Sequence, residues 1–188
     1  MRAIGGFGRD QILLVRDLVS LQGRATDTER LITVLRRQRG GLAIRGQANS
    51  LASWHLLMRV VEGLAVLGEG EQAAALYPVV LEALKLGAVS SWWAFPLIQR
   101  IAGIAAAAGG QWENAEEHYE TALRQAHEIP HRLEQPEVRR WYAQMLLERD
   151  APGDREKARR ILEEAVAMFR ELGMAKHLEM AETALAQA

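Results

Sequence analysis

The stretch Gly110–Ala126, GQWENAEEHYETALRQA, decides how the chain is read. Trp112, Ala115, Tyr119, Ala122 and Ala126 recur at steps of three and four, and the residues between them are mostly Glu, Gln, Arg and His. That spacing places one apolar stripe along one face of an α-helix. The preceding Gly110 suits the end of an earlier helix, because glycine adopts a left-handed backbone at low cost. Ala115 leaves room for the two helices to approach, and Tyr119, one turn on, fills the space between them. The unit is therefore a helical hairpin.

The same frame recurs: Gly, a small residue five on, a large apolar one four further, then a small or apolar one three beyond. Gly153, Ala158, Leu162 and Ala165 fit it, as do Gly68, Ala73, Tyr77 and Val80. Gly23, Thr28, Ile32 and Leu35 form a weaker copy. The glycines step by 45, 42 and 43 residues, an even period that marks a repeat architecture. Ala158, Ile161, Leu162, Ala165, Phe169 and Leu172 form a second helical stripe. RDAPGD, Arg149 to Asp154, reads as a turn with Asp154 as the N-cap of the next helix.

These signals predict an all-α chain. A degenerate helical pair, 9–22 and 27–38, and the Gly-rich, weakly basic loop RGGLAIRGQ occupy residues 1–49. Residues 50–188 form one continuous domain. Its three helix pairs are 50–67 with 70–86, 92–108 with 112–128, and 136–149 with 154–172. A last helix, 175–187, carries Leu178, Ala181 and Leu185 on one face and is expected to cap the stack.

The frame resembles the tetratricopeptide repeat family. Gly103 and Ala143 occupy its small first-helix position, and Pro130 resembles the proline that closes a repeat. The step is longer than the usual spacing of about thirty-four residues. The last first-helix is also extended: Ala143 to Gly153 is ten residues, against seven from Gly103 to Gly110. HYETALRQA and the run from Trp141 to Met174 are also similar to the C-terminal repeat arms of large bacterial signalling ATPases and adenylate cyclase-like regulators. No catalytic domain of those proteins fits within 188 residues, so the chain is expected to be the repeat arm alone.

The resemblance implies a right-handed α-solenoid whose first helices line a concave, ligand-binding side. It places His55, Met58, Arg59 and Glu62 there, then Arg100, Ile101 and Ile104, then Arg140, Trp141 and Gln144. Arg59, Arg100 and Arg140 would form a basic ladder, one per repeat, suited to an acidic segment or free C-terminus of a partner. Arg140 and Gln144, one turn apart, would grip a carboxylate. The competing reading pairs these arginines with Glu62, Glu137 and Glu148. The implied function is a protein-binding scaffold. The alternative is a ligand-sensing regulatory arm that takes a small molecule or peptide.

HEIPH, His127 to His131, fits the zinc-protease pattern H-E-x-x-H, which needs an unbroken helix through both histidines. Pro130 opposes that helix, lacking an N–H and crowding the preceding turn. The reading is a helix end, with no metal site and no cofactor. GGFG, Gly5 to Gly8, lacks the Lys-Ser/Thr of a phosphate loop. Of Trp92 and Trp93, expected to start a helix, one is assigned to the surface, since neighbours do not share a helix face. Trp112 is assigned to the core, and Trp54 is open. His118, His177 and the pairs Glu116/Glu117 and Glu163/Glu164 are expected to face solvent. No nucleophile–base order stands out, so no enzymatic activity is expected.

With 23 basic and 24 acidic side chains and a net charge of -1, nothing points to nucleic acid. There are no cysteines, so thiol chemistry is excluded. MRAIGGFGRD carries no signal-peptide run, and IAGIAAAAGG, Ile101 to Gly110, is too short for a membrane span. A cytoplasmic protein is expected, with self-association through exposed repeat ends as a further possibility.

Overall fold

The computed structural model describes residues 41–90 and 96–188. The expected helices 9–22 and 27–38, the Gly23 copy of the frame, the GGFG segment, and Trp92 and Trp93 lie outside those residues.

The described chain is helical throughout. In order it forms α1 (Leu51–Val66), α2 (Gly70–Ala75), α3 (Tyr77–Lys85), α4 (Ile98–Ala108), α5 (Trp112–Glu128), α6 (Glu134–Arg149), α7 (Asp154–Glu171) and α8 (Ala175–Leu185). A lone antiparallel bridge joins Ser90 to Leu97. None of the helices among the described residues is long and apolar enough to cross a membrane.

Local chemistry sets the boundaries. Ser50 caps α1, its Oγ accepting from the Ser53 N–H at 3.1 Å. The frame glycines Gly68 and Gly110 have φ of 76° and 68°, so each turns left-handed just past a helix end, as their spacing predicts. At the third copy the roles divide. Asp150 takes the left-handed position after α6 (φ 49°), and Gly153 (φ 90°) stands at the start of α7. Asp154 is therefore the first helical residue of α7 rather than its N-cap. Its carboxylate instead holds the loop, accepting from the Ala151 N–H at 2.9 Å.

Two expected helices are revised, both beside a proline. The helix expected over 70–86 is divided at Leu76 into α2 and α3, with Pro78 in the first turn of α3. Pro78 has no N–H to return to the turn before it, and its ring crowds that turn. The helix expected from residue 92 is described from Ile98, with Leu97, next to Pro96, in an extended conformation before it (φ -68°, ψ 131°).

Packing follows the frame. α4 touches α1, α2, α3, α5 and α6, and α6 also packs on α5 and α7. The predicted stripes are buried: Ala73, Tyr77 and Val80; Ala115, Tyr119, Ala122 and Ala126; Ala158, Ile161, Leu162, Ala165 and Phe169. Trp112 and Trp54 are only partly buried, against the edge of the same core. α8 docks on α7, closing Ala165, Val166 and Phe169 under Ala181, with Leu178, Leu185 and Met174 around them. The loop after residue 40 is held to α3, where the Gly46 N–H donates to the Glu82 carboxylate at 3.0 Å.

Candidate functional site

The inner faces of α1, α4 and α6 carry charge, and the charge is matched pair by pair. Arg100, 2% exposed, donates from Nε and Nη2 to both oxygens of Glu134 at 2.8 and 3.0 Å, and from Nη1 to Glu62 at 2.7 Å. Glu134 also accepts from the Leu97 N–H at 2.9 Å, which fixes the start of α4. Arg59 donates to the second oxygen of Glu62 at 3.3 Å, and Arg140 donates to Glu137 at 2.8 Å. Burial alone would raise the Glu62 carboxyl, but Arg100 and Arg59 outweigh it and hold it below its ordinary value. Burial likewise works against the Arg100 cation, and Glu134 and Glu62 hold its pKa well above the usual one.

The row of arginines expected as a ligand-facing ladder is instead tied to internal carboxylates. Arg59 and Arg140 pair with the foreseen Glu62 and Glu137, while Arg100 spans three helices. Glu148, the third foreseen partner, is bonded by Gln144 rather than by an arginine. Met58, Ile101, Ile104 and Trp141, assigned to the ligand-facing side, are core residues at 1%, 0%, 2% and 4% exposure. His55 is buried too, and burial followed by the Arg59 charge lowers its pKa.

Three of the predicted residues meet around one groove of about 360 Å³. Ile104 lies on its α4 wall with Ala107 and Ala108. Trp141, Gln144, Met145 and Glu148 come from α6, and Trp112 and Tyr119 from α5. Ala65, Gly68 and Gly70 close the end nearest α1 and α2. His55, Arg59, Glu62, Arg100 and Arg140 do not line it.

The groove's floor is rigid. The Tyr119 ring lies against Gly103, where an added Cβ would sit 2.9 Å from the ring. Its other neighbour is Tyr142, stacked at 5.4 Å and 14°. Burial pushes the Tyr119 phenol far up, so it stays neutral. Arg140 lies over the Trp141 ring, 4.7 Å from its centroid. The Trp141 indole N–H and Arg140 Nε are buried with no acceptor among the described residues. At the rim, Gln144 Nε2 donates to Glu148 at 3.0 Å.

A second polar cluster went unread in the sequence. Tyr142 donates to Glu116 at 2.7 Å, and Lys157 donates to Glu116 at 2.6 Å and to Tyr142 Oη at 2.5 Å. Arg149 donates to Glu116 at 2.7 Å and grips Asp154 through two bonds of 2.8 Å. Burial opposes the Glu116 charge, but the bonds from Lys157, Arg149 and Tyr142 bring its pKa down to about 2. Glu116 is therefore a knot between α5, α6 and α7 and not a solvated surface carboxylate.

Two histidines expected in solvent are also engaged. His118 Nδ1 donates to Gln99 Oε1 at 2.6 Å, and its Nε2 accepts from Tyr77 Oη at 2.8 Å. His177 stands 3.4 Å from Glu137 and packs on Phe169. HEIPH behaves as its proline predicts: α5 ends at Glu128, and His131 lies beyond it, its Nδ1 accepting from the Glu134 N–H at 3.4 Å. Among the described residues no three His, Asp or Glu side chains gather as a metal site.

Comparison with protein-family models, with curated proteins and with solved structures finds no match for this chain.

Proposed function

We propose that this chain is a tetratricopeptide-like repeat scaffold, a right-handed stack of helix pairs whose groove holds a short peptide segment of a partner protein. One observation carries the reading: successive helix pairs contribute to a single groove, with Ile104, Trp141 and Gln144 converging where the frame places ligand contacts.

Panning a random peptide library against the full chain tests this. Binders should be recovered on wild type and lost on Gln144→Trp, which fills the groove from a half-buried rim position. Recovery of no binders, or of binders indifferent to Gln144→Trp, sinks the reading.

The groove's size favours a second reading, the ligand-sensing arm of a signalling protein, since about 360 Å³ lies within the range of small-molecule sites. A melting-temperature rise with a metabolite, absent in Gln144→Trp, would favour it.

A further inference from the structure

The chemistry of the groove wall selects among peptides, and the argument rests on the peptide-binding reading above. Among the described residues the lining carries one formal charge, the Glu148 carboxylate. Glu148 is exposed and bonded by the neutral Gln144 amide, with no cation paired to it among the described residues. The buried cations behind the wall, Arg100 and Arg140, are already matched by Glu62, Glu134 and Glu137. An unmatched anion therefore sits at the rim of a slot whose half-buried apolar lining is Trp112, Ala108 and Ala65.

A long side chain with an apolar stem and a cationic head complements that arrangement. We propose that the groove takes a Lys or Arg side chain of the partner peptide. The methylenes run along the half-buried apolar lining, Trp112, Ala108 and Ala65, and the cation meets Glu148 beside the Gln144 amide. An acidic side chain would place like charge against Glu148. A purely apolar one would strip water from Glu148 and return nothing. The arginine row points the same way, because each of its charges is already paired with an internal carboxylate.

The test uses fluorescently labelled peptides recovered on the full wild-type chain. They should share a Lys or Arg at one position and bind more weakly as salt is raised. Glu148→Gln should weaken them about fivefold, as expected for a partly solvated ion pair, and Glu148→Arg should weaken them further. Glu163→Gln, an exposed carboxylate on α7, should have no effect. Norleucine in place of the basic residue should weaken binding to wild type and add little in Glu148→Gln. Groove-dependent peptides without a basic anchor, or basic peptides indifferent to Glu148→Gln, overturn this proposal and leave the peptide reading standing. No groove-dependent peptides at all overturns both.

Discussion

Gly103 and Tyr119 show how a single residue can set the distance between two helices. An added Cβ at Gly103 would stand 2.9 Å from the Tyr119 ring, and the ring is backed by Tyr142, so neither side can yield cheaply. Gly103→Ala should therefore lower stability by about 1–3 kcal/mol, despite alanine's better helix propensity. Urea unfolding of Gly103→Ala, Tyr119→Leu and the double variant checks the cause, because a shared clash makes the double variant less damaged than the sum. Arg100 obeys a different rule. It is 2% exposed and bonded to Glu62 and Glu134, so Arg100→Met strands two buried carboxylates and should cost about 3–5 kcal/mol. An Arg100→Met chain with a wild-type unfolding midpoint would show that the row of charges contributes nothing to stability. The two residues differ in how well they can be read in advance. The place of Tyr119 follows from the spacing of its stripe, and the small residue at Gly103 from the resemblance to the repeat family. The frame set Arg100 on the ligand-facing side, a placement that its burial and its absence from the groove lining do not support. It gave no sign that a neighbouring helix would cover that face, because Glu62 and Glu134 are 38 and 34 residues away.

At the scale of elements, periodicity and helix-end chemistry were legible and proline was underweighted. The bounds of α5 agree with the apolar stripe that runs from Trp112, and the end before Pro130 was foreseen on the proline's own chemistry. Pro78 and Pro96 mark boundaries of the same kind, one in the first turn of α3 and one just before α4. The polar knot around Glu116 left no periodic trace, since its partners stand 26, 33 and 41 residues along the chain. The last helix makes its own prediction. α8 is held to α7 by Ala181 packed among Ala165, Val166 and Phe169, and Ala181 is fully buried. Ala181→Asp buries a charge at that seam, so α8 should detach while the pairs before it persist. Hydrogen exchange should show α8 amides losing protection and those of α5 and α6 keeping most of theirs. Loss of protection throughout would mean instead that the cap and the body unfold as one unit.

Across the whole molecule, the polar contacts that join helix pairs make stability depend on pH in two windows. His118 lies between Tyr77 of α3 and Gln99 of α4, and burial lowers its pKa below the ordinary 6.5 against the opposing pull of Glu117. The unfolded chain therefore takes up that proton first. The stability His118 contributes is fully present above pH 6.5 and is lost as pH falls below it toward the folded-state value. Glu116 follows in a lower window. Its carboxyl drops from an ordinary 4.5 to about 2, so its contribution is complete above 4.5 and disappears as pH falls toward 2. Asp154, lowered chiefly by its bonds from Arg149, and Glu62 act in the same direction. The chain should thus lose stability in a shallow step below neutrality and a steeper one in acid. Glu116→Gln separates the second step from general acid unfolding. It removes the charge that gathers Lys157 and Arg149, so at pH 7 it should cost about 1–2 kcal/mol for this partly exposed group. In return, its urea midpoint should fall less than that of wild type between pH 5 and pH 3. Parallel acid profiles for the two proteins would remove Glu116 as the group that ties α5, α6 and α7 together. Convergence of the two curves toward low pH would place the acid weakness of the stack at that junction.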